Sequence, residues 1–143
     1  MLKDLQQDDV MPAICFYFQV HQPLRVRGYR VFDIGDNKDY FGEEKDGLNQ
    51  EILNKVTKKS YLPTNKLLLK LLEKHPELSL AFSFSGLVLE QMEKNAPEVL
   101  ETFKCLIDTG RVEVLAETYY HSLAFFYSRD EFGWQVRKHA QLV

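Results

Sequence analysis

Three stretches of this chain alternate apolar residues with small or polar ones at the two-residue period of a strand, and each is followed by a helical pattern. The middle one, Leu78 to Ser85, is the cleanest. Leu78, Leu80, Phe82 and Phe84 take one face, and Ser79, Ala81, Ser83 and Ser85 take the other. The first, Ala13 to Pro23, places Ile14, Phe16, Phe18 and Val20 on one face. Its other face carries Ala13, Cys15, Tyr17, Gln19 and His21, more polar toward the end, where Pro23 stops the ladder. The third, Val112 to Glu117, sets Val112, Val114 and Ala116 against Glu113, Leu115 and Glu117.

The intervening segments read as helices. In YLPTNKLLLKLLEKHPE, Thr64 caps a stripe of Leu67, Leu68, Leu71 and Leu72, and Pro76 ends it. Gly86 turns the second strand into a helix over Leu87 to Lys94. Another helix starts at Pro97 with Val99, Leu100, Phe103, Leu106 and Ile107 on one face, and Gly110 stops it. Ser128 to Glu131 fits a capping box before a final helix carrying Phe132, Val136 and Ala140. Between the first strand and the leucine helix lies a long segment, Leu24 to about Ser60. It is expected to fold as a loop over the site, with a short helix near Gln50 to Lys58 inside it. Its cluster Arg25, Arg27 and Arg30 reads as solvated or locally paired, and its acidic group is Glu43, Glu44 and Asp46.

Strand, helix, strand, helices, strand, helix is the order of parallel βα units. A doubly wound sheet would be apolar on both faces. Here the second face carries Tyr17, Gln19, His21, Ser83, Ser85, Glu113 and Glu117, which suits the inside of a barrel. The expected fold class is therefore α/β, a (β/α) barrel with a polar interior. Three strands cannot close one, and a full barrel takes about 250 residues. At 143 residues the chain reads as one N-terminal fragment of a barrel domain, residues 1–143, with three βα units.

Composition excludes several classes. A net charge of −3 and the lack of a basic stripe argue against nucleic acid as partner. Two distant cysteines, Cys15 and Cys105, are too few for a disulfide framework and read as small buried residues. The opening MLKDLQQDDVMP lacks a basic region and a long apolar run, which argues against a membrane span and gives cytoplasmic as the default location.

At the C-terminal mouth of the strands stand His21, Gln22, Glu117, Tyr119, Tyr120 and His121. No close pairing of histidines suggests a metal, and no phosphate loop, dinucleotide fingerprint or nucleophile elbow is present. Glycosidic hydrolysis needs two carboxylates about 5–9.5 Å apart. Glu113 and Glu117 share a face four residues apart, about 13 Å along a strand, and cannot be that pair. From the residues alone, the mouth is a polar, histidine- and tyrosine-lined surface suited to carbohydrate.

The strand ending in His21-Gln22-Pro23, the stretch Phe82 to Gln91 (FSFSGLVLEQ) and the stretch Gly110 to Ala124 (GRVEVLAETYYHSLA) together resemble glycoside hydrolase family 57. That family includes α-amylases, 4-α-glucanotransferases, amylopullulanases and branching enzymes, and the details are most similar to the α-amylase-type members. The resemblance implies an incomplete seven-stranded (β/α) barrel and a retaining mechanism on α-glucans or maltooligosaccharides, without a cofactor or metal. It implies that His21 lies beside the sugar at the cleavage subsite and that Gly110 to His121 forms the second signature region. The implied substrate-binding set is His21, Gln22, Glu117, Tyr120 and His121. In glucanotransferase-like members a glutamate follows the aromatic pair, where this chain has His121. The glutamate nucleophile and aspartate acid/base are expected beyond residue 143, so the fragment itself is expected to be inactive. Two other readings stay open: a non-catalytic glucan-binding relative, and a metal-dependent polysaccharide deacetylase of related barrel fold.

Overall fold

The computed structural model describes residues 13–35, 39–42 and 47–143. The opening stretch MLKDLQQDDVMP and the acidic group Glu43, Glu44 and Asp46 lie outside the described residues. Strands β1 (Tyr17–Val20), β2 (Leu80–Phe84) and β3 (Val112–Leu115) form a parallel sheet in the order β1-β2-β3. The register sets Ala81 between Tyr17 and Glu113, and Ser83 between Gln19 and Leu115. The two faces therefore divide as the alternation predicts. Phe18, Val20, Leu80, Phe82, Phe84, Val112 and Val114 turn to one side.

That side is covered by helices α2 (Leu62–Lys74), α3 (Gly86–Asn95) and α4 (Pro97–Ile107). The core joins Leu68 and Leu72 of α2, Val88 and Met92 of α3, and Val99, Phe103 and Leu106 of α4 to the strand residues. Phe103 is its centre, set edge-on to Phe82, Phe84 and Tyr61 with centroids 5.7, 4.9 and 6.0 Å away. Fully burying each such side chain contributes about 1.5–3 kcal/mol. One polar tie crosses the layer: the buried Asn65 amide donates to Thr102 Oγ1 at 2.8 Å, joining α2 to α4.

The helix before the second strand is not capped by Thr64. Helix α1 (Leu48–Val56) runs through a π-helical turn, Thr57–Tyr61, straight into α2. Pro63 has no N–H and clashes with a regular preceding turn. The widened turn admits it, with Leu62 N–H reaching back five residues to the Thr57 carbonyl. The segment 24–60 is accordingly helical from Leu48, within two residues of the helix expected there. Asn49 fastens its first half: its Oδ1 accepts from Arg25 N–H at 2.8 Å, and its Nδ2 donates to the carbonyls of Arg25 (3.1 Å) and Phe41 (3.0 Å). Arg25 is locally held, its guanidinium donating to the Pro23 carbonyl and to Gln22 Oε1.

Four other expectations are corrected. Cys15 and Cys105 are exposed rather than buried. Cys15 belongs to the sheet face opposite the helix layer, and Cys105 sits on the outward side of α4. Ile14 and Phe16, on the face of Phe18 and Val20, precede β1 and extend past the helix layer, so they are exposed and only Phe18 and Val20 of that face are packed. Leu67 and Ile107 lie at the margins of their stripes and face outward. Helix α5 (Arg129–Ala140), capped by Ser128 Oγ accepting from Glu131 N–H, buries Gln135 and His139 rather than Val136 and Ala140. Both buried polar side chains are there to satisfy backbone: His139 Nε2–H donates to the Phe84 carbonyl at 2.7 Å, and Gln135 Oε1 accepts from Tyr120 N–H at 3.3 Å.

Candidate active site at the mouth of the sheet

The C-terminal ends of β1, β2 and β3 bring four side chains into one cluster: Gln19, His21, Glu117 and His121. Extending β1 by one residue puts His21 on the same face as Tyr17 and Gln19. There its Nδ1 lies 2.7 Å from the hydroxyl of Ser85, the residue just past β2. The His121 ring is 4.7 Å from that of His21, tilted by 42°. Glu117 Oε2 is 3.1 Å from His121 Nδ1, and the Gln19 amide is 3.3 Å from His121 Nε2. The Gln19 amide also lies 3.1 Å from His121 Nδ1, so Gln19 and Glu117 meet at the same ring nitrogen. Gln19 Nε2 also lies 3.5 Å from Glu117 Oε2. The second carboxylate oxygen, Glu117 Oε1, is buried and has no hydrogen-bond partner among the described residues.

The backbone at His121 is left-handed, with φ +52°. Histidine is one of the few non-glycine residues enriched there, and the conformation still costs free energy. Thr118 holds the turn: its carbonyl accepts from His121 N–H at 3.0 Å and its Oγ1 from Ser122 N–H at 2.9 Å. Burial first, and then the neighbouring His121, push the His21 imidazole below the ordinary histidine range, with Glu117 opposing. His21 is therefore neutral near pH 7.

Gln22 and Tyr120 are not drawn into this cluster. Gln22 is occupied by Arg25 and, at 3.5 Å, by the Tyr61 hydroxyl, and its carbonyl accepts from Gln91 Nε2 at 2.7 Å. Tyr120 lies on the α5 side, stacked at 6.3 Å from Trp134 and edge-on to Tyr119 at 4.9 Å. The Lys138 ammonium stands over the Tyr119 ring at 3.6 Å, with Tyr120 and Trp134 at 5.2 and 5.3 Å. Tyr119 is core: it is buried, its hydroxyl donates to Glu90, and a Cβ at Gly86 would overlap its ring. Burial, then Glu90, raises its pKa, against Lys138. Among the described residues no three His, Cys, Asp or Glu side chains are grouped to hold a metal ion, and no helix is long and apolar enough to cross a membrane.

Sequence reading reached His21, Glu117 and His121 but missed the parts played by Gln19 and Ser85. Gln19 was legible as a same-face neighbour of His21. Ser85 was not, because a small residue on a polar face carries no mark of the partner it will meet.

A polar mouth at the C-terminal ends of parallel strands, with helices on the opposite face, defines part of a (β/α) barrel. The chain belongs to glycosyl hydrolase family 57, whose family model matches residues 15–143. It is 38% identical over 132 residues to a Methanocaldococcus jannaschii protein named "Putative alpha-amylase", covering 90% of this chain and 27% of that protein. It is 30% identical to an alpha-amylase of Pyrococcus horikoshii, covering 79% of this chain and 14% of the relative. In fold it is similar to the 4-alpha-glucanotransferase of Thermococcus litoralis, with a TM-score of 0.62 at 22% identity, over 90% of this chain and 16% of that one. The chain thus spans about a quarter, or less, of the length of these relatives.

Proposed function

We propose that this chain forms one wall of the active site of an α-glucan-active retaining glycoside hydrolase or transglycosylase, of α-amylase or 4-α-glucanotransferase type. The convergence of Gln19, His21, Glu117 and His121 at the strand ends carries the reading. Neutral His21 has an N–H to donate to a sugar oxygen, and Glu117 Oε2, on His121 Nδ1, fixes the second ring of the pair beside it. Tyr120 and Gln22 stand outside that cluster, Tyr120 with its ring partly exposed on the α5 side and Gln22 tied to Arg25 and Tyr61. In this reading the glutamate nucleophile and the aspartate acid/base come from sequence beyond these 143 residues. They act by double displacement through a covalent glycosyl intermediate. The residues here bind and orient the ring, so their energy serves the transition state.

The test is the full-length gene product on maltooligosaccharides. His21→Ala and Glu117→Gln are each expected to lower kcat/KM by about 10- to 100-fold, the loss of one or two hydrogen bonds in a closed site. Glucan binding without turnover would favour the non-catalytic relative. Activity on acetylated polysaccharide that disappears with a chelator would favour the deacetylase. Wild-type rates in both variants would remove the site.

A further inference from the structure

Ser85 stands at the junction of two networks. It is fully buried, it follows β2, and it is the N-cap of α3, its Oγ accepting from Val88 N–H at 3.3 Å. The same Oγ lies 2.7 Å from His21 Nδ1. These are its two hydrogen-bond partners among the described residues. A hydroxyl has one hydrogen to donate and two lone pairs. The helix N–H takes a lone pair. If His21 Nδ1 carried a proton, Oγ would accept twice and its own hydrogen would be buried without an acceptor, which costs the desolvation of a polar group. If Nδ1 is bare, the hydroxyl hydrogen points at it and both groups are satisfied.

We propose that Ser85 is a positioning residue that fixes His21 as the Nε2–H tautomer, so that His21 offers the site a hydrogen-bond donor. This rests on the reading of the mouth as a glucan site only in naming what receives the hydrogen: a sugar oxygen. The proposal deepens that reading by assigning polarity. At the position facing His21, the sugar must present an accepting oxygen.

A near-isosteric pair of substitutions isolates the effect. Asparagine and aspartate are both good N-caps, so both preserve the bond to Val88. Facing Nδ1, asparagine can donate from its amide, whereas aspartate can only accept. The tautomer is read directly in the full-length gene product with 15N-labelled histidine, by long-range 15N–1H correlation, His21 being assigned by the loss of its signals in His21→Gln. The wild type and Ser85→Asn are expected to show Nε2–H, and Ser85→Asp a proton on Nδ1. With maltoheptaose, Ser85→Asp is expected to fall at least about tenfold below Ser85→Asn in kcat/KM, one hydrogen bond of ordinary strength. A wild-type His21 protonated on Nδ1 overturns the proposal without any variant having to fold. So does an unchanged tautomer in Ser85→Asp. No turnover of maltoheptaose by the wild type removes the glucan reading but leaves the tautomer assignment to stand or fall on its spectrum.

Discussion

Burial of a neutral imidazole has a consequence in pH. Because the folded state holds His21 below its ordinary value of about 6.5, the unfolded chain binds more protons between the two values. Stability then rises with pH through that window. The contribution is complete above pH of about 6.5 and is lost as pH falls through the lowered value. The unfolding midpoint of the wild type should therefore drop more between pH 7.5 and 5 than that of His21→Gln, with the difference confined to that side. Equal slopes would mean that His21 is as free in the fold as out of it. At this scale legibility was uneven. His21, Glu117 and His121 could be picked out because titratable residues at strand ends are informative in themselves. Gln135 and His139 could not, since their value lies in carbonyls and N–H groups left open by the tertiary fold, and Val136 looked the better core residue until those partners were known.

Among the elements, the strands were the most predictable part, because a period of two assigns a face to every residue once one is fixed. Their lengths were overread, Ala13–Pro23 shortening to Tyr17–Val20, since ladder pairing needs a neighbour and not just an apolar run. The helix starting at Thr64 failed for a different reason. Thr64 reads as a cap, and only the five-residue turn before it shows that the helix passes through. The clamp made by Asn49 is the element-scale feature most open to experiment. Asn49→Ala removes an acceptor from Arg25 N–H and donors from two carbonyls, and is expected to cost about 1–3 kcal/mol. Because the loss falls on the segment 24–42, limited proteolysis should cut there first and faster than in the wild type, well before the core is digested. A variant that unfolds globally with no early cut in that segment would show that the clamp serves the whole domain instead.

For the molecule as a whole, the barrel class followed from an imbalance between faces: helices cover one side, and the other carries serines, carboxylates and histidines. That inference needed no contact information. What it lacked was the boundary of the packed region, so Ile14, Phe16 and both cysteines were placed inside when nothing among the described residues covers them. A polypeptide limited to these 143 residues would present those side chains together with Phe125, Phe126 and Tyr127, and the outer edges of β1 and β3. Such surfaces invite pairing with other copies. On gel filtration this polypeptide is expected to elute as an associating species whose size grows with concentration, and the full-length gene product not to do so. A concentration-independent monomer would show that the exposed residues are tolerated in water.

The π turn ties these scales together. It amounts to one residue more than a regular helix would need between α1 and α2, and each residue of a helix advances its direction by about 100°. Deleting a single residue from Thr57–Tyr61 would close the turn to regular pitch and set the Pro63 ring against the turn before it. It would also swing Asn49 about a third of a turn away from Arg25, while Leu68 and Leu72 stayed in the core. The imperfection acts as a dial: it sets the angle at which the chain after His21 is handed back to the body of the protein, and a smoother helix would point it elsewhere.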